Sequence, residues 1–185
     1  ELAELNGYHV VFFDDAYPQK KTIEDWPILG DSQALLSATS EYEICVGIGN
    51  NTIRQQKQYA LQQLGGFFPV LVHPSATISK YARLNRGAVV MAGAIVNGFA
   101  DLKEGVVVNT GCVIEHDCIV EAFAHISPNS TLAGGVTIGR CAWVGAGAVV
   151  KQLVNIGERT VIGAGSVVIK DIPEGVTAFG VPARI

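Results

Sequence analysis

Apolar residues recur at every sixth position from Val72 to Pro173. Read in sixes from VHPSAT through IEHDCI and VEAFAH to VIKDIP, the stretch holds 17 hexads without an insertion. The first position is Val, Ile or Leu in all 17, and the fifth is Ala, Ser, Thr, Cys or Val in 16, with Ile172 the exception. A period of six is neither the 3.6 of a helix nor the alternation of a strand, and a fixed period overrides local readings. It predicts a β-solenoid in which each hexad gives one short strand and one corner. The aliphatic residue fills the interior, and the small residue lets the chain turn without crowding it. Three hexads close a coil of 18 residues, so the stretch holds between five and six coils. Coils stack at about 4.8 Å, and both ends of the array need a cap.

Ahead of the repeat the pattern changes. Glu1 to Asn6 reads as the end of a helix, with Gly7 its stop signal. Tyr8 to Phe13 is a short apolar strand ending at Asp14 and Asp15, followed by a looser segment with Pro18, Pro27 and Gly30. Asp31 caps a short helix through about Ala38, and Tyr42 to Ile48 is a second strand. Thr52 to Leu64 reads as a polar-faced helix, and Phe67 to Val72 as a third strand leading into the repeat. Strands alternating with helices imply a small parallel α/β domain, a partial Rossmann-like unit, over residues 1–71, with the solenoid over 72–185.

Ligands of such domains sit beyond the carboxyl ends of the strands. Asp14 and Asp15 lie there after one strand, and Gly49, Asn50 and Asn51 after the next. An acidic residue at the first place suits a ribose hydroxyl, and a glycine at the second admits a ligand to the backbone; solvated turns would look the same. A dinucleotide-type fold opens with a strand and a Gly-rich loop. This chain opens inside the helix that should follow, so roughly two dozen preceding residues are expected to be lacking.

Composition narrows the function classes. With a net charge of −4 and no basic run, nucleic acid is excluded as a natural partner. Cys45, Cys112, Cys118 and Cys141 show no CxxC spacing, and Cys112 and Cys118 take the small-residue position of their hexads. They read as core residues in a reducing cytoplasm rather than as disulfides or metal ligands. No secretory signal is seen. The least polar run, Gly87 to Ala100, contains Asn97 and is too short to span a bilayer.

The chemistry centres on two of four histidines. His9 lies in a strand and His73 precedes Pro74, whereas His116 and His125 fall in the middle coils at positions that point outward. Gly134 follows His116 by 18 residues, one full coil, so the two should lie side by side. An imidazole next to an open backbone N–H suits acyl transfer, the one as base and the other as oxyanion donor. Asp117 follows His116 directly, where a carboxylate makes the imidazole a better proton acceptor. His116 and His125 are nine residues apart, half a coil, and so fall on different sides. They can share a ligand only if a neighbouring subunit supplies one of them, as a cyclic trimer of parallel solenoids would. Ala146 and Ala164, again 18 apart, stack small residues into a smooth strip open to a backbone-bonding ligand.

The hexads resemble those of the hexapeptide-repeat acyltransferases, which implies a left-handed parallel β-helix. Further motifs sharpen the resemblance: GIGNNTIR at Gly47, FFDD at Phe12, VNTGCVIEHDC at Val108, HISPNSTLAGGVTIG at His125 and the closing FGVPARI. Together they look like the acyltransferases of bacterial surface polysaccharide and glycoprotein synthesis. The PglD type, which acetylates a UDP-4-amino-sugar in the bacillosamine pathway, is the nearest in look; the NeuD type, a sialic acid O-acetyltransferase, is similar. The resemblance implies acetyl-CoA as co-substrate, no metal, a nucleotide-sugar acceptor and a homotrimer with sites between subunits. It implies His116 as base with Asp117 behind it, Asn109 positioning the acceptor, and Gly134 as oxyanion donor. It sets acetyl-CoA against His125, Ala146 and Ala164, and the sugar nucleotide against Asp14, Asp15, Gly49 and Asn50. Trp143, one coil on from His125, is read either as a contact for the thiol arm or as a trimer contact. The alternatives are the same chemistry on a sugar hydroxyl, or a β-solenoid that binds or scaffolds without catalysis.

Overall fold

A computed structural model describes all residues, Glu1–Ile185. From Leu71 onward the chain is a parallel β-helix of two-residue strands, stacked into sheets of eight, six and five strands. The eight-stranded sheet ends in a hairpin, Thr177–Gly180 with Ala183–Arg184. Register advances by one coil throughout, as in Val107 against His125 and His125 against Trp143. The first hexad positions from Val90 to Val168 are buried, as are the fifth positions from Ala88 to Ile172, and they form one continuous core. Cys112 and Cys118 lie within it, their Sγ atoms turned to the carbonyls of Ser127 and Ala133. Burial pushes both thiols above their ordinary range.

The corners follow a rule of their own. The fourth hexad position has positive φ in every hexad from Gly87 to Gly165. Glycine, Asn129 and Asp117 suit that conformation, while Phe99, Phe123, Cys141, Leu153 and Arg159 adopt it at about 1–2 kcal/mol each. At each corner the N–H of the fourth residue bonds to the third residue of the previous coil, as Asp117 does to Gly98 O. The N–H of the third residue bonds to nothing in the chain, so each corner carries a column of open donors.

The N-terminal part differs from expectation in its strands. Helix α1 spans Leu2–Leu5. Of the expected strand Tyr8 to Phe13, only β1, Phe12–Phe13, is paired. The segment expected to be loose holds β2, Thr22–Ile23, and β3, Trp26–Gly30. β3 lies between β1, to which it is parallel, and β2, to which it is antiparallel. Pro27 is tolerated because the neighbouring Ile28 N–H makes the bond to Lys21 O, while Trp26 anchors β3 by packing on Phe12 and donating to Glu4. Tyr42 to Ile48 pairs only through the bridge Glu43 to Phe67, with Ile44 N–H on Phe67 O at 2.8 Å. Helix α2, Ser32–Ser37, is capped by Asp31, and α3, Asn51–Gln63, by Asn50.

α3 docks on the β-helix through polar side chains. Its buried stripe is Asn51, Arg54, Gln58 and Leu61. Asn51 donates to the carbonyls of Cys141 and Ala142, and Arg54 to those of Gly105 and Phe123. Gln58 packs where a side chain on Gly87 would stand. Gly87, Gly105, Phe123 and Cys141 are successive fourth positions on one corner, so the helix reads a column of corner backbone. Phe123 is fully buried there, edge-on to Tyr59 with ring centroids 5.2 Å apart.

Candidate active site

His116 stands on the corner between the six- and five-stranded sheets. Its Nδ1 lies 2.8 Å from Asp117 Oδ2. A carboxylate only accepts, so Nδ1 carries the proton and Nε2 presents its lone pair to solvent. Asp117 has φ +60, and this corner conformation lets it reach back to the preceding ring. Gly134 adjoins the imidazole in the next coil: a Cβ there would stand 2.7 Å from both Cε1 and Nε2. The Gly134 N–H makes no bond within the chain. A lone pair and an unused amide donor thus meet on one open corner.

His125 sits elsewhere, on the outward side of the eight-stranded sheet. Its ring packs against Trp143 with centroids 4.5 Å apart. Asn109 Oδ1 accepts from Thr110 N–H at 2.8 Å, which turns the amide nitrogen toward His125 Nε2 at 3.2 Å. That amide only donates, so the His125 proton sits on Nδ1, which is buried without a partner. Burial, with a smaller contribution from the Arg54 cation, lowers the pKa of His125 from 6.5 to about 4. The ring is neutral near pH 7. The structure therefore joins Asn109 to His125 and Trp143, and His116 to Asp117 and Gly134, as two clusters on different sides of one coil. Ala146 and Ala164 occupy the corner between the eight- and six-stranded sheets, exposed and stacked, with Gly165 N–H bonded to Ala146 O at 2.8 Å. Their own N–H groups are open, which fits an extended, amide-bearing ligand such as the pantetheine arm.

The four expected acceptor residues lie on loops of the N-terminal part. Asp14 Oδ1 accepts from Ala16 N–H, and Asn50 Oδ1 from Ile53 N–H, so each holds its own turn. Asp15 accepts from Ser32 N–H at 2.9 Å, and that bond is the main cause holding its carboxyl below the usual range. Lys57 Nζ reaches Ser32 Oγ at 3.3 Å, which ties α3 to this loop. Ser32 and Lys57 were not singled out in the sequence, since neither belongs to a motif. Gly47 and Gly49 have open space where a Cβ would stand, and neither has positive φ. Nothing in the chain demands glycine at either place.

A cavity of about 540 Å³ opens on the far corner, lined in part by Arg86, Glu104 and Arg140, and contains none of these residues. His116 lies on a convex corner, where one chain cannot form a pocket. No group of three or more His, Cys, Asp or Glu side chains gathers in a metal-binding arrangement. No helix is long and apolar enough to cross a membrane.

Comparison with known proteins is in keeping with this geometry. A family model described as the PglD N-terminal domain matches residues 1–61. GDP-perosamine N-acetyltransferase of Escherichia coli O157:H7 is 29% identical over 97% of this chain and 83% of its own length. The acetyltransferase domain of PglB from Neisseria gonorrhoeae FA1090, solved with acetyl coenzyme A, is 40% identical, with a TM-score of 0.93 over 99% of this chain and 91% of that one. A histidine variant of perosamine N-acetyltransferase from Caulobacter crescentus, solved with CoA and GDP-perosamine, is 35% identical, with a TM-score of 0.94 over 99% of this chain and 88% of that one.

Proposed function

Because this chain belongs to the PglD-type hexapeptide-repeat sugar acyltransferases, we propose that it acetylates the 4-amino group of a UDP-linked amino sugar in bacterial glycan synthesis. It is an acetyl-CoA-dependent acetyltransferase, acting on the amino group of a nucleotide sugar. The observation that carries the catalytic reading is the His116 Nε2 lone pair beside the unused Gly134 N–H, with Nδ1 fixed by Asp117.

Acetyl-CoA supplies the acetyl group as a thioester. The neutral amine adds to its carbonyl carbon, and the nitrogen becomes cationic as the C–N bond forms. His116 Nε2 takes that proton, and Asp117 stabilises the imidazolium that results. The Gly134 N–H donates to the oxygen on which negative charge develops. The carbonyl re-forms as the C–S bond breaks, and the proton held by His116 neutralises the departing thiolate. Asn109, which fixes His125, belongs with the donor cluster in this scheme, together with Ala146 and Ala164.

A homotrimer with sites between subunits completes the scheme. The outward positions of the six-stranded sheet are Thr77, Ile95, Val113, Thr131, Val149 and Val167, an apolar stripe that no element of the chain covers. The other sheets carry either the N-terminal part or polar residues such as Arg83, Asp101 and Asn155. Packing the apolar faces about a threefold axis would bring the His116 corner of one subunit toward the Ala146 corner of the next. Asp14, Asp15, Gly49 and Asn50 would hold the sugar nucleotide, an assignment supported by two glycines that packing does not require. Residues 1–71 and 72–185 act as the acceptor-holding and acetyl-transferring parts. A cytoplasmic setting agrees with four free cysteines.

The test is release of CoA from acetyl-CoA across a panel of UDP- and GDP-linked 4-amino sugars, with free sialic acid as the hydroxyl acceptor. Turnover with a UDP-linked 4-amino sugar supports the proposal, and preference for a GDP-linked one corrects the nucleotide. Turnover with sialic acid alone would replace N- by O-acetylation, and none with any acceptor would favour a binding or scaffold role.

A further inference from the structure

The corner that carries His116 also carries two aromatic rings that nothing in the chain covers. Tyr81, Phe99, Asp117, Gly135 and Leu153 are the fourth residues of successive coils on that corner. Since Asp117 N–H bonds to Gly98 O at 3.1 Å, Phe99 adjoins Asp117 in the preceding coil. Its ring stacks on Tyr81, with centroids 5.4 Å and planes 21° apart, and Lys80 Nζ lies 4.9 Å from the Tyr81 centroid. Phe99 remains 65% exposed and Tyr81 56%.

This arrangement costs stability without an internal return. Phe99 holds φ +64, a conformation disfavoured for a residue with a side chain. Phe123 holds φ +60, but its ring is fully buried against Tyr59 and packing offsets the strain. At Phe99 the ring meets only Tyr81 and solvent. A strained backbone presenting an uncovered ring beside a base points to an occupant from outside the chain.

Distance and chemistry identify the occupant. With coils about 4.8 Å apart, Phe99 adjoins the His116 corner and Lys80 lies roughly 10 Å along it. An amine at His116 would set its pyranose over Phe99 and its diphosphate within reach of Lys80. In the other direction the corner offers Gly134, Gly135, Gln152 and Leu153, with no aromatic ring and no cation. Phe99 is also level with the coils of Val89 and Val107, which border the contact with the N-terminal part. In a trimer the nucleoside could then extend from this corner toward the Gly49 loop of a neighbour.

We propose that Phe99, backed by Tyr81, is the platform on which the apolar face of the acceptor pyranose rests, and that Lys80 engages the diphosphate. The proposal rests on the acyl-transfer reading above and adds residues that set acceptor specificity.

Phe99→Asn tests it, because asparagine tolerates the corner conformation and removes the ring without adding strain. The measurements are KM for a UDP-linked 4-amino-4,6-dideoxyhexose, KM for acetyl-CoA, melting temperature and mass by light scattering. The expected result is an acceptor KM raised about tenfold, with acetyl-CoA KM and mass unchanged and melting temperature equal or higher. Phe99→Trp, which keeps a ring, should stay within about twofold of wild type, and Lys80→Ala should raise the acceptor KM as well. An unchanged acceptor KM in Phe99→Asn, with wild type active, would overturn the platform alone. A lower oligomeric mass in that variant would overturn it too and make the rings a contact between copies. A wild type that neither binds nor acetylates any nucleotide amino sugar would overturn the acyl-transfer reading and the platform together.

Discussion

Gly134 lies so close beneath the His116 imidazole that the two positions cannot both carry a side chain in this arrangement: a Cβ on Gly134 would stand 2.7 Å from Nε2. Gly134→Ala should therefore displace the ring while leaving the core untouched. Misplacement of a reacting group by about 1 Å can cost on the order of 10²-fold. A loss of kcat of that order is expected, with acetyl-CoA affinity and melting temperature near wild type. Steady-state kinetics and a thermal melt check both.

The buried, neutral His125 makes stability depend on pH. The unfolded chain protonates this ring near 6.5, whereas the native state does so only near 4. Between those values the unfolded state binds more protons, so native stability should fall as pH drops from about 6.5 toward 4. Urea unfolding across that range should show His125→Gln losing less stability than wild type. Arg54→Met should move the His125 titration upward only in part, because burial is the larger cause. NMR titration of the ring reads that directly.

Arg54 is almost fully buried and faces four carbonyls, those of Ile48, Gly49, Gly105 and Phe123, with no carboxylate. Arg54→Met would strand buried acceptors at the seam between α3 and the β-helix. A loss of about 3 kcal/mol is expected, measured by urea unfolding. Faster proteolysis of the N-terminal part should accompany it.

The corner rule makes a prediction of the opposite sign. Arg159 holds φ +55, and its one ion pair, to Glu158, is solvent-exposed. Arg159→Gly should relieve the strain and stabilise the protein by about 1 kcal/mol, seen as a raised melting temperature.

The repeat, the coil length and the meeting of His116 with Gly134 were legible because a period of six fixes which side chains share a column. The corner rule was legible only in part: glycine marks seven of the fourth positions from residue 87 to 165, but Phe99, Phe123 and Leu153 hide it. β3 was missed because Pro27 and Gly30 read as breakers, whereas Trp26 and a bond from Ile28 hold the strand. The docking of α3 runs against amphipathic reasoning. Its buried stripe is Asn51, Arg54 and Gln58, while Ile53 and Leu64 face solvent, since its partner surface is a column of carbonyls. The link between Asn109 and His125 crosses coils at a spacing of 16 rather than 18, so column counting could not find it.

The central claim is that His116 Nε2 removes the amine's proton, and His116→Ala tests it most directly. General bases contribute about 10²–10⁴-fold, so at saturating acetyl-CoA and UDP-4-amino sugar kcat should fall by that factor, with acetyl-CoA binding nearly intact. Asp117→Ala should cost less, and His125→Ala should weaken acetyl-CoA binding instead. The contradicting result is His116→Ala with near wild-type kcat while His125→Ala abolishes turnover at saturating donor. The base would then be His125, and Gly134 a corner glycine and no more.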